Sequence, residues 1–209
     1  MSTADPRPYH HGDLRRALLA AGVDLARDGG PAAVALREAS RRVGVSHNAG
    51  YRHFPDRDAL LRAVAEHAMA ELAALMEQFV SQANAPDPGV AARRRLRATG
   101  RAYLAFALAE PGLFRTAFAA PDELPDPAHG GVGPIGVGPY GILSRQLDEL
   151  VTAGQMAPGR RPLAEVIAWS AVHGLSMLLL DGPLRLLPAS ERDAAIERLL
   201  DDVERGLTS

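Results

Sequence analysis

A Gly-Val-Ser turn at residues 44–46 separates two short segments that each carry a helical pattern, and it constrains the fold more than any other feature. The first segment has one apolar stripe, formed by Leu36, Ala39 and Val43. It ends at Gly44, and glycine is the residue that most readily takes the positive φ of a helix end. Ser46 is a favourable N-cap for a second helix, from His47 to about Phe54. Two helices joined by so short a turn predict a helix-turn-helix motif.

Helical periodicity continues on both sides of this motif, and no convincing strand alternation appears. The preceding helix has an apolar stripe of Leu14, Ala17, Leu18, Ala21 and Leu25. It ends at Gly29-Gly30-Pro31, and Pro55-Asp56 begins a fourth helix over residues 56–82. Further helices are predicted near residues 90–109, 113–119, 140–151, 163–180 and 190–207. We expect an all-α fold: an N-terminal arm with a three-helix helix-turn-helix domain (1–55), and a C-terminal helical bundle (56–209) joined to it by helix 56–82.

Composition and charge narrow the class of protein. The chain has no cysteine, no apolar leader and no apolar run as long as a membrane span, so we expect a cytoplasmic protein. Residues 1–67 hold 10 Arg against 8 acidic groups, and residues 68–209 hold 13 Arg against 17. This distribution excludes a uniformly cationic surface and favours a localised contact with a polyanion near the N-terminus.

The polar third helix has two interpretations: its side chains are merely solvated, or they face a polar surface that they recognise. In a helix-turn-helix the second helix of the motif enters the DNA major groove with its N-terminal residues at the base edges. Hydrogen-bonding side chains belong at such positions. The residues on either side of this helix distinguish between the two interpretations.

Residues 9–66 resemble the DNA-binding domain of the tetracycline-repressor (TetR) family of bacterial transcription regulators. The resemblance rests on the Gly-Val-Ser turn, the Tyr-x-His-Phe ending at residues 51–54 and the Asp-Arg-x-x-Leu-Leu opening at residues 56–61. It implies base contacts by Arg37, His47, Asn48, Tyr51 and Arg52, and phosphate contacts by Ser46, His53 and Arg57. Chemistry agrees, because arginine can span guanine O6 and N7, and asparagine can span adenine N6 and N7.

Two residues depart from the family pattern. Ala35 stands where the family often has Ser or Thr, so the second helix is expected to lack a side-chain cap, at a cost on the order of 1 kcal/mol. Gly50 replaces a bulkier residue and is expected to loosen the third helix by up to about 1 kcal/mol.

The C-terminal part holds Trp169, His173 and Gly174, which resemble the regulatory domain named for its Trp-His-Gly signature. Trp169 and His173 are four residues apart and share a helix face. Either they are core residues, or they line a cavity for a small, largely apolar effector of unreadable identity. The candidate cavity residues are Tyr103, Phe106, Phe114, Phe118, Trp169, His173 and Met177.

The helix at 163–180 is apolar nearly all round, so a partner subunit is its natural cover and we expect a homodimer. The resemblance implies a ligand-responsive regulator, most often a repressor, that binds a palindromic double-stranded DNA operator. The alternative is an architectural or activating DNA-binding protein without a small ligand.

Other motifs have weaker interpretations. No nucleophile-and-base pair or metal-binding spacing appears, so we expect no enzyme activity, metal, cofactor or membrane partner. The G-x-G-x-x-G at 131–136 lacks a preceding strand and contains Pro134, which indicates a loop rather than a dinucleotide site. His10 and His11 are either a fortuitous metal pair or tag remnant, or part of the N-terminal arm. The arginines at 93, 94, 95 and 97 are interpreted as a solvated face.

Overall fold

The computed structural model describes residues 11–119 and 138–208, without the side chains of residues 11 and 12. The N-terminal arm up to His10 and the Gly-rich segment 131–136 therefore lie outside the described residues. Within those ranges the chain forms nine α-helices and no strand, which confirms the all-α class. The helices are α1 (His11–Ala33), α2 (Leu36–Val43), α3 (His47–Tyr51), α4 (Arg57–Gln82), α5 (Pro88–Ala109), α6 (Pro111–Ala117), α7 (Pro139–Thr152), α8 (Ala164–Leu180) and α9 (Ala189–Thr208).

The helix-turn-helix forms as its local signals predict. α1 breaks at Gly29 and Gly30, and α2 ends at Gly44, whose φ of 77° lies in the left-handed region. Ser46 caps α3 by accepting a hydrogen bond from the amide of Ala49. α3 ends at Tyr51, three residues before the predicted end at Phe54. Phe54 turns into the core, where it is 2% exposed, and the proline that follows it disfavours helical backbone.

Helix α4 is the longest element and connects the helix-turn-helix to the bundle. Asp56 caps it by accepting a hydrogen bond from the amide of Ala59 at 2.6 Å. α4 packs on α1 at one end, and on α5, α6 and α7 further along. A continuous apolar core, here called the larger cluster, extends from Leu18 in α1 to Leu200 in α9. No gap in the core marks the division at residues 55 and 56, so that division remains a prediction.

A second apolar core, here called the smaller cluster, lies under α7 and the start of α8. Its members are Ala92, Leu96, Leu143, Leu147, Leu150, Met156, Ala164, Ala168 and Leu207. Helix α5 borders both clusters and packs against α4, α7, α8 and α9. Within the described ranges, no helix combines the length and the hydropathy needed to cross a membrane.

The arginine run on α5 is not the solvated face that we expected. Arg95 donates to Glu149 of α7 at 2.9 Å, and Arg97 donates to Glu197 of α9 at 2.6 Å. For Arg95 and Arg97 the interpretation as a solvated face was wrong, because α5 is central to the bundle and α7 and α9 place carboxylates against their side chains, whereas Arg94 is exposed.

Candidate functional site

The predicted recognition surface lies on α3 and the start of α2. Its five candidate base-contacting side chains are all exposed: Arg37, His47, Asn48, Tyr51 and Arg52. The rings of His47 and Tyr51 pack edge to face with centroids 4.4 Å apart, which orients the tyrosine at the surface. Within the described part of the chain, neither Arg37 nor Arg52 has an ion-pair partner. Their charges are therefore available to an external partner.

The neighbouring arginines on α2 are paired instead. Glu38 accepts two hydrogen bonds from Arg41, both at 2.8 Å, and Arg42 donates to Asp28 of α1 at 3.1 Å. The hydrogen bonds from Arg41 lower the pKa of Glu38 to about 2. Glu38 therefore stays ionised at neutral pH, and it offsets the positive charge of Arg41 and Arg42.

The candidate phosphate contacts lie at the edges of this surface. Ser46 is exposed, and its hydroxyl accepts from the Ala49 amide at 3.3 Å, which leaves the hydroxyl hydrogen for another acceptor. His53 is half-buried just after α3, and Arg57 is exposed in the first turn of α4. The geometry places all three near the helix-turn-helix, and their contact with phosphate remains a prediction.

Arg57 has a structural role that the sequence reasoning missed. Its Nε donates to the carbonyl of Val34 at 2.9 Å, and its Nη2 donates to the carbonyl of Pro31 at 2.6 Å. Pro31 follows the break in α1 and Val34 lies in the connection to α2, where the end of a helix leaves backbone oxygens short of helical partners. Arg57 therefore fastens the start of α4 to the helix-turn-helix. The Gly29-Gly30-Pro31 break was the available signal, because it predicts orphan carbonyls without naming their donor.

Gly50 permits a close approach between α2 and α3. A β-carbon at this position would collide with Oγ of Ser40 and lie 3.4 Å from Cδ1 of Leu36. The Ser40 hydroxyl is buried and has no hydrogen-bond partner among the described residues. Gly50 thus has a packing role beside its expected helix-loosening effect. At Ala35, the other position that departs from the family pattern, α2 has no side-chain cap, as predicted.

An apolar cavity of about 70 Å³ lies inside the bundle, between α4, α5, α7, α8 and α9. Three of the predicted cavity residues line it, namely Tyr103, Phe118 and Trp169. Other wall residues that the sequence reasoning missed are Met69, Met76, Leu96, Arg97, Gly100, Tyr140, Leu143, Val172 and Leu200. The i, i+3 and i+4 spacing of residues 96, 97, 100 and 103 on α5 was a usable signal for one wall.

The remaining predicted residues do not line this cavity, and the expectation is corrected for them. Phe106 and Phe114 are buried in the larger cluster, and His173 lies behind Tyr103. Met177 is 38% exposed on the outer face of α8. The reason is angular: Met177 is eight residues beyond Trp169, and eight residues turn a helix by about 80° past two full rotations.

A hydrogen-bonded chain of three side chains stands at one end of the cavity. Trp169 Nε1 donates to the hydroxyl oxygen of Tyr103 at 3.1 Å, and that hydroxyl lies 2.8 Å from Nδ1 of His173. Burial raises the pKa of Tyr103 and lowers the pKa of His173, so both side chains are favoured in their neutral forms. The Tyr103 hydroxyl keeps its own hydrogen when it accepts from Trp169, and it can donate a hydrogen bond to Nδ1 in the His173 tautomer that carries its hydrogen on Nε2.

Arg97 also lines the cavity, and its charge is paired. Arg97 forms ion pairs with Glu197, at 2.6 Å, and with Asp201. Its charge is therefore already neutralised by α9, and the cavity wall offers no unpaired Arg97 to an anionic ligand. Within the described residues, no three His, Asp or Glu side chains converge as a metal site requires.

The outer side of α8 presents an exposed apolar face. Its large side chains are Leu163, Val166, Ile167, Met177 and Leu178, with exposed fractions of 72%, 47%, 58%, 38% and 44%. Gly174 lies on the same side, and a β-carbon there would meet open space. A contiguous apolar face of this kind marks an interaction surface on a folded chain.

Comparisons with known proteins agree with this architecture. A family model described as "Tetracyclin repressor-like, C-terminal domain" matches residues 96–203, and one described as "Bacterial regulatory proteins, tetR family" matches residues 18–64. A solved protein of unknown function from Rhodococcus sp. RHA1 is 32% identical, with a TM-score of 0.73, over 98% of this chain and 100% of its own.

One more distant structure and one partial sequence match are also similar to this chain. A TetR variant from Acinetobacter baumannii AYE, solved in complex with minocycline, is 20% identical with a TM-score of 0.62 over 98% of this chain and 96% of its own; this is a likeness of fold alone. The HTH-type transcriptional repressor Rv3405c of Mycobacterium tuberculosis is 35% identical over 69 residues, which are 33% of this chain and 37% of that protein.

The C-terminal family model alone covers more than half of the 209 residues, and the N-terminal model covers the helix-turn-helix itself. The Trp-His-Gly branch remains a prediction. The chain belongs to the TetR family of bacterial transcription regulators.

Proposed function

We propose that this regulator is a cytoplasmic, ligand-responsive repressor that binds a palindromic operator as a homodimer and is released by a small, largely apolar effector. The observation that carries the proposal is the exposed polar surface of the helix-turn-helix, where Arg37 and Arg52 have no ion-pair partner among the described residues, joined through α4 to a bundle with an apolar cavity. The repressor named among the relatives supports the direction of control.

On the DNA side, Arg37, His47, Asn48, Tyr51 and Arg52 contact bases, and Ser46, His53 and Arg57 hold phosphates. The unpaired Arg37 and Arg52 support this division, because a base edge in the major groove is recognised by side chains with unsatisfied donors. A single short recognition helix offers too small an interface for tight specific binding, which favours a dimer on two half-sites.

The dimer forms through α8, with α9 beside it. The exposed face that contains Ile167 and Met177 supports this, since symmetric homodimers bury apolar surface and Gly174 lets two helices approach closely. Ile167→Asp is expected to give a monomer in sedimentation at micromolar concentration and to abolish cooperative operator binding. A stable wild-type monomer would count against the dimer.

The effector occupies the apolar cavity and changes the distance between the two helix-turn-helix units. These must match half-sites about 34 to 36 Å apart, or a multiple of that spacing. Besides α4, α6 supports the coupling: a β-carbon at Gly112 would collide with the Ala26 carbonyl of α1, so the two helices pack backbone to backbone. Arg27 of α1 also donates to Glu71 of α4 at 3.0 Å and to Glu110, which precedes α6, at 3.2 Å.

Genomic footprinting with the purified protein tests the function. Protection of palindromic sites, reversed by an apolar compound that also quenches Trp169 fluorescence, is the expected result. Protection that no cavity-binding compound reverses would favour the alternative, an architectural or activating DNA-binding protein. The absence of site-specific protection would refute the proposal.

A further inference from the structure

Most polar side chains that line the bundle cavity are engaged with other groups of the protein. Thr99 Oγ1 donates to the carbonyl of Arg95 at 2.9 Å, one turn earlier on α5. Arg97 is paired with carboxylates of α9, and the Glu204 carboxylate lies 3.6 Å from Nε of Arg93. These wall residues therefore use their polar groups within the protein.

The Tyr103 hydroxyl engages the indole N–H of the cavity wall. Trp169 Nε1 donates to this hydroxyl at 3.1 Å, and a tryptophan side chain has only that one donor. The hydroxyl also lies 2.8 Å from Nδ1 of His173, so it has a second partner in either imidazole tautomer. Tyr103 is 4% exposed, and both Tyr103 and Trp169 line the cavity. Without the Tyr103 hydroxyl, the indole N–H would lose its acceptor.

Tyr140 differs from Tyr103 in this respect. It also lines the cavity, and its ring packs edge to face on Trp169 with centroids 6.3 Å apart. Its hydroxyl has no hydrogen-bond partner among the described residues, and Tyr140 is only half-buried, so solvent reaches it. The two tyrosines therefore share the cavity and the contact with Trp169, but only Tyr103 satisfies the indole N–H.

Four aromatic rings line the cavity, those of Tyr103, Phe118, Tyr140 and Trp169. The centroids of Phe118 and Trp169 are 6.2 Å apart, and those of Tyr103 and Phe118 are 6.5 Å apart. These separations are typical of interacting aromatic pairs. Two methionines of α4 also line the cavity, and their sulfur atoms contact aromatic rings favourably. An aromatic ligand would extend this set of ring contacts, which a saturated ligand of the same size cannot do.

We propose that the cavity is selective for neutral aromatic compounds that place no hydrogen-bonding group inside it, and that the Tyr103 hydroxyl determines this specificity. A polar ligand group would give up its hydrogen bonds to water and meet a wall whose donors are largely engaged, which costs free energy. A hydrocarbon ring has no such cost and gains the aromatic contacts. This inference rests on the proposed effector function of the cavity.

The test compares three probes: ethylbenzene, its saturated analogue ethylcyclohexane, and acetophenone, which adds a carbonyl acceptor to the ring. Trp169 is the single tryptophan of the chain and lines the cavity, so its fluorescence reports binding, with calorimetry as a second measurement. Tyr103→Phe removes the acceptor of the indole N–H. Tyr140→Phe is the matched control, because it removes a hydroxyl from the same cavity without removing a described hydrogen bond.

Tyr103→Phe is expected to strengthen acetophenone binding relative to ethylbenzene about fivefold, the equivalent of one hydrogen bond to the freed indole N–H. Tyr140→Phe should change this ratio less than about twofold. The single indole N–H signal in the NMR spectrum of labelled protein should move upfield in Tyr103→Phe and stay in place in Tyr140→Phe. Phe118→Leu should weaken ethylbenzene relative to ethylcyclohexane about threefold, because one ring contact is lost.

A second variant keeps the test decisive if Tyr103→Phe does not fold. Trp169→Phe removes the indole donor and leaves the Tyr103 oxygen with a free acceptor site, so calorimetry should show aniline gaining relative to ethylbenzene.

An unchanged acetophenone to ethylbenzene ratio in Tyr103→Phe would overturn the proposal, and so would wild-type protein that binds none of the probes. Operator binding is measured in parallel with and without ethylbenzene. If the probe ratios change as expected but ethylbenzene leaves operator binding intact, the specificity of the cavity stands and the proposed release by a cavity ligand fails. If wild-type protein binds its operator and the ratios do not change, this inference alone fails.

Discussion

Substitutions of Arg57 can distinguish its structural role from its predicted role in DNA binding. Its guanidinium donates to two carbonyls, those of Val34 at 2.9 Å and Pro31 at 2.6 Å, and its side chain is 47% exposed. Hydrogen bonds from charged donors are worth roughly 1.5 to 3 kcal/mol each, and half-exposure reduces this by about half. Arg57→Ala should therefore lower the free energy of unfolding by roughly 2 kcal/mol.

Arg57→Lys separates the two roles further. A lysine keeps the positive charge for a phosphate but cannot reproduce the two directed guanidinium bonds. It should lose about half as much stability as alanine does, roughly 1 kcal/mol, while it keeps the salt dependence of DNA binding. Arg57→Ala should also flatten the salt slope by around one unit for each phosphate that the variant no longer neutralises.

Urea denaturation followed by circular dichroism gives the stability, and DNA binding at several salt concentrations gives the slope. Arg62→Ala is the control, since Arg62 is an exposed arginine on the same helix, and surface changes of this kind usually stay within about 0.5 kcal/mol. If Arg57→Ala unfolds at the same urea concentration as wild type, the two carbonyl contacts do not stabilise the fold and the reasoning is refuted.

Three further predictions use the same measurements. Arg37→Ala and Asn48→Ala should each cost roughly 1 to 3 kcal/mol per half-site and relax preference at one base pair, whereas a uniform loss across single-base operator variants would show that both residues only anchor the DNA. Gly50→Ala should stabilise the fold by up to about 1 kcal/mol in a Ser40→Ala background, because helix propensity favours alanine. With Ser40 present, the same substitution should stabilise the fold less, or destabilise it. Additive effects of the two substitutions on the free energy of unfolding would refute the steric conflict. Burial lowers the pKa of His173 in the folded state, so the unfolded state binds more protons as pH falls, and stability should drop below about pH 6.5, the unfolded pKa. His173→Gln should lack this part of the pH dependence in urea titrations, and an unchanged profile would contradict it.

The local part of this fold was predictable from short stretches of sequence. Gly44 ends α2, and Ser46 and Asp56 cap the first turns of α3 and α4. Each of these residues acts on backbone groups within a few residues of itself. The helix-turn-helix and its exposed polar side chains follow from the same signals, because periodicity and capping are properties of neighbouring residues. The early end of α3 was missed, because Phe54 leaves the helix for a core built by other helices.

Contacts between helices were decided only by the tertiary structure. Arg57 bonds to carbonyls more than 20 residues away, and Tyr103 joins Trp169 and His173 from a different helix. The residues of the cavity wall also depended on contacts between helices: Met177 lies on the outer face of α8, whereas Leu143 lines the cavity. Sequence spacing shows which residues share a face of one helix, but the packing of the whole bundle determines which neighbour that face meets. The full burial of Gln146 has the same cause, since burial depends on elements that its own helix pattern does not contain.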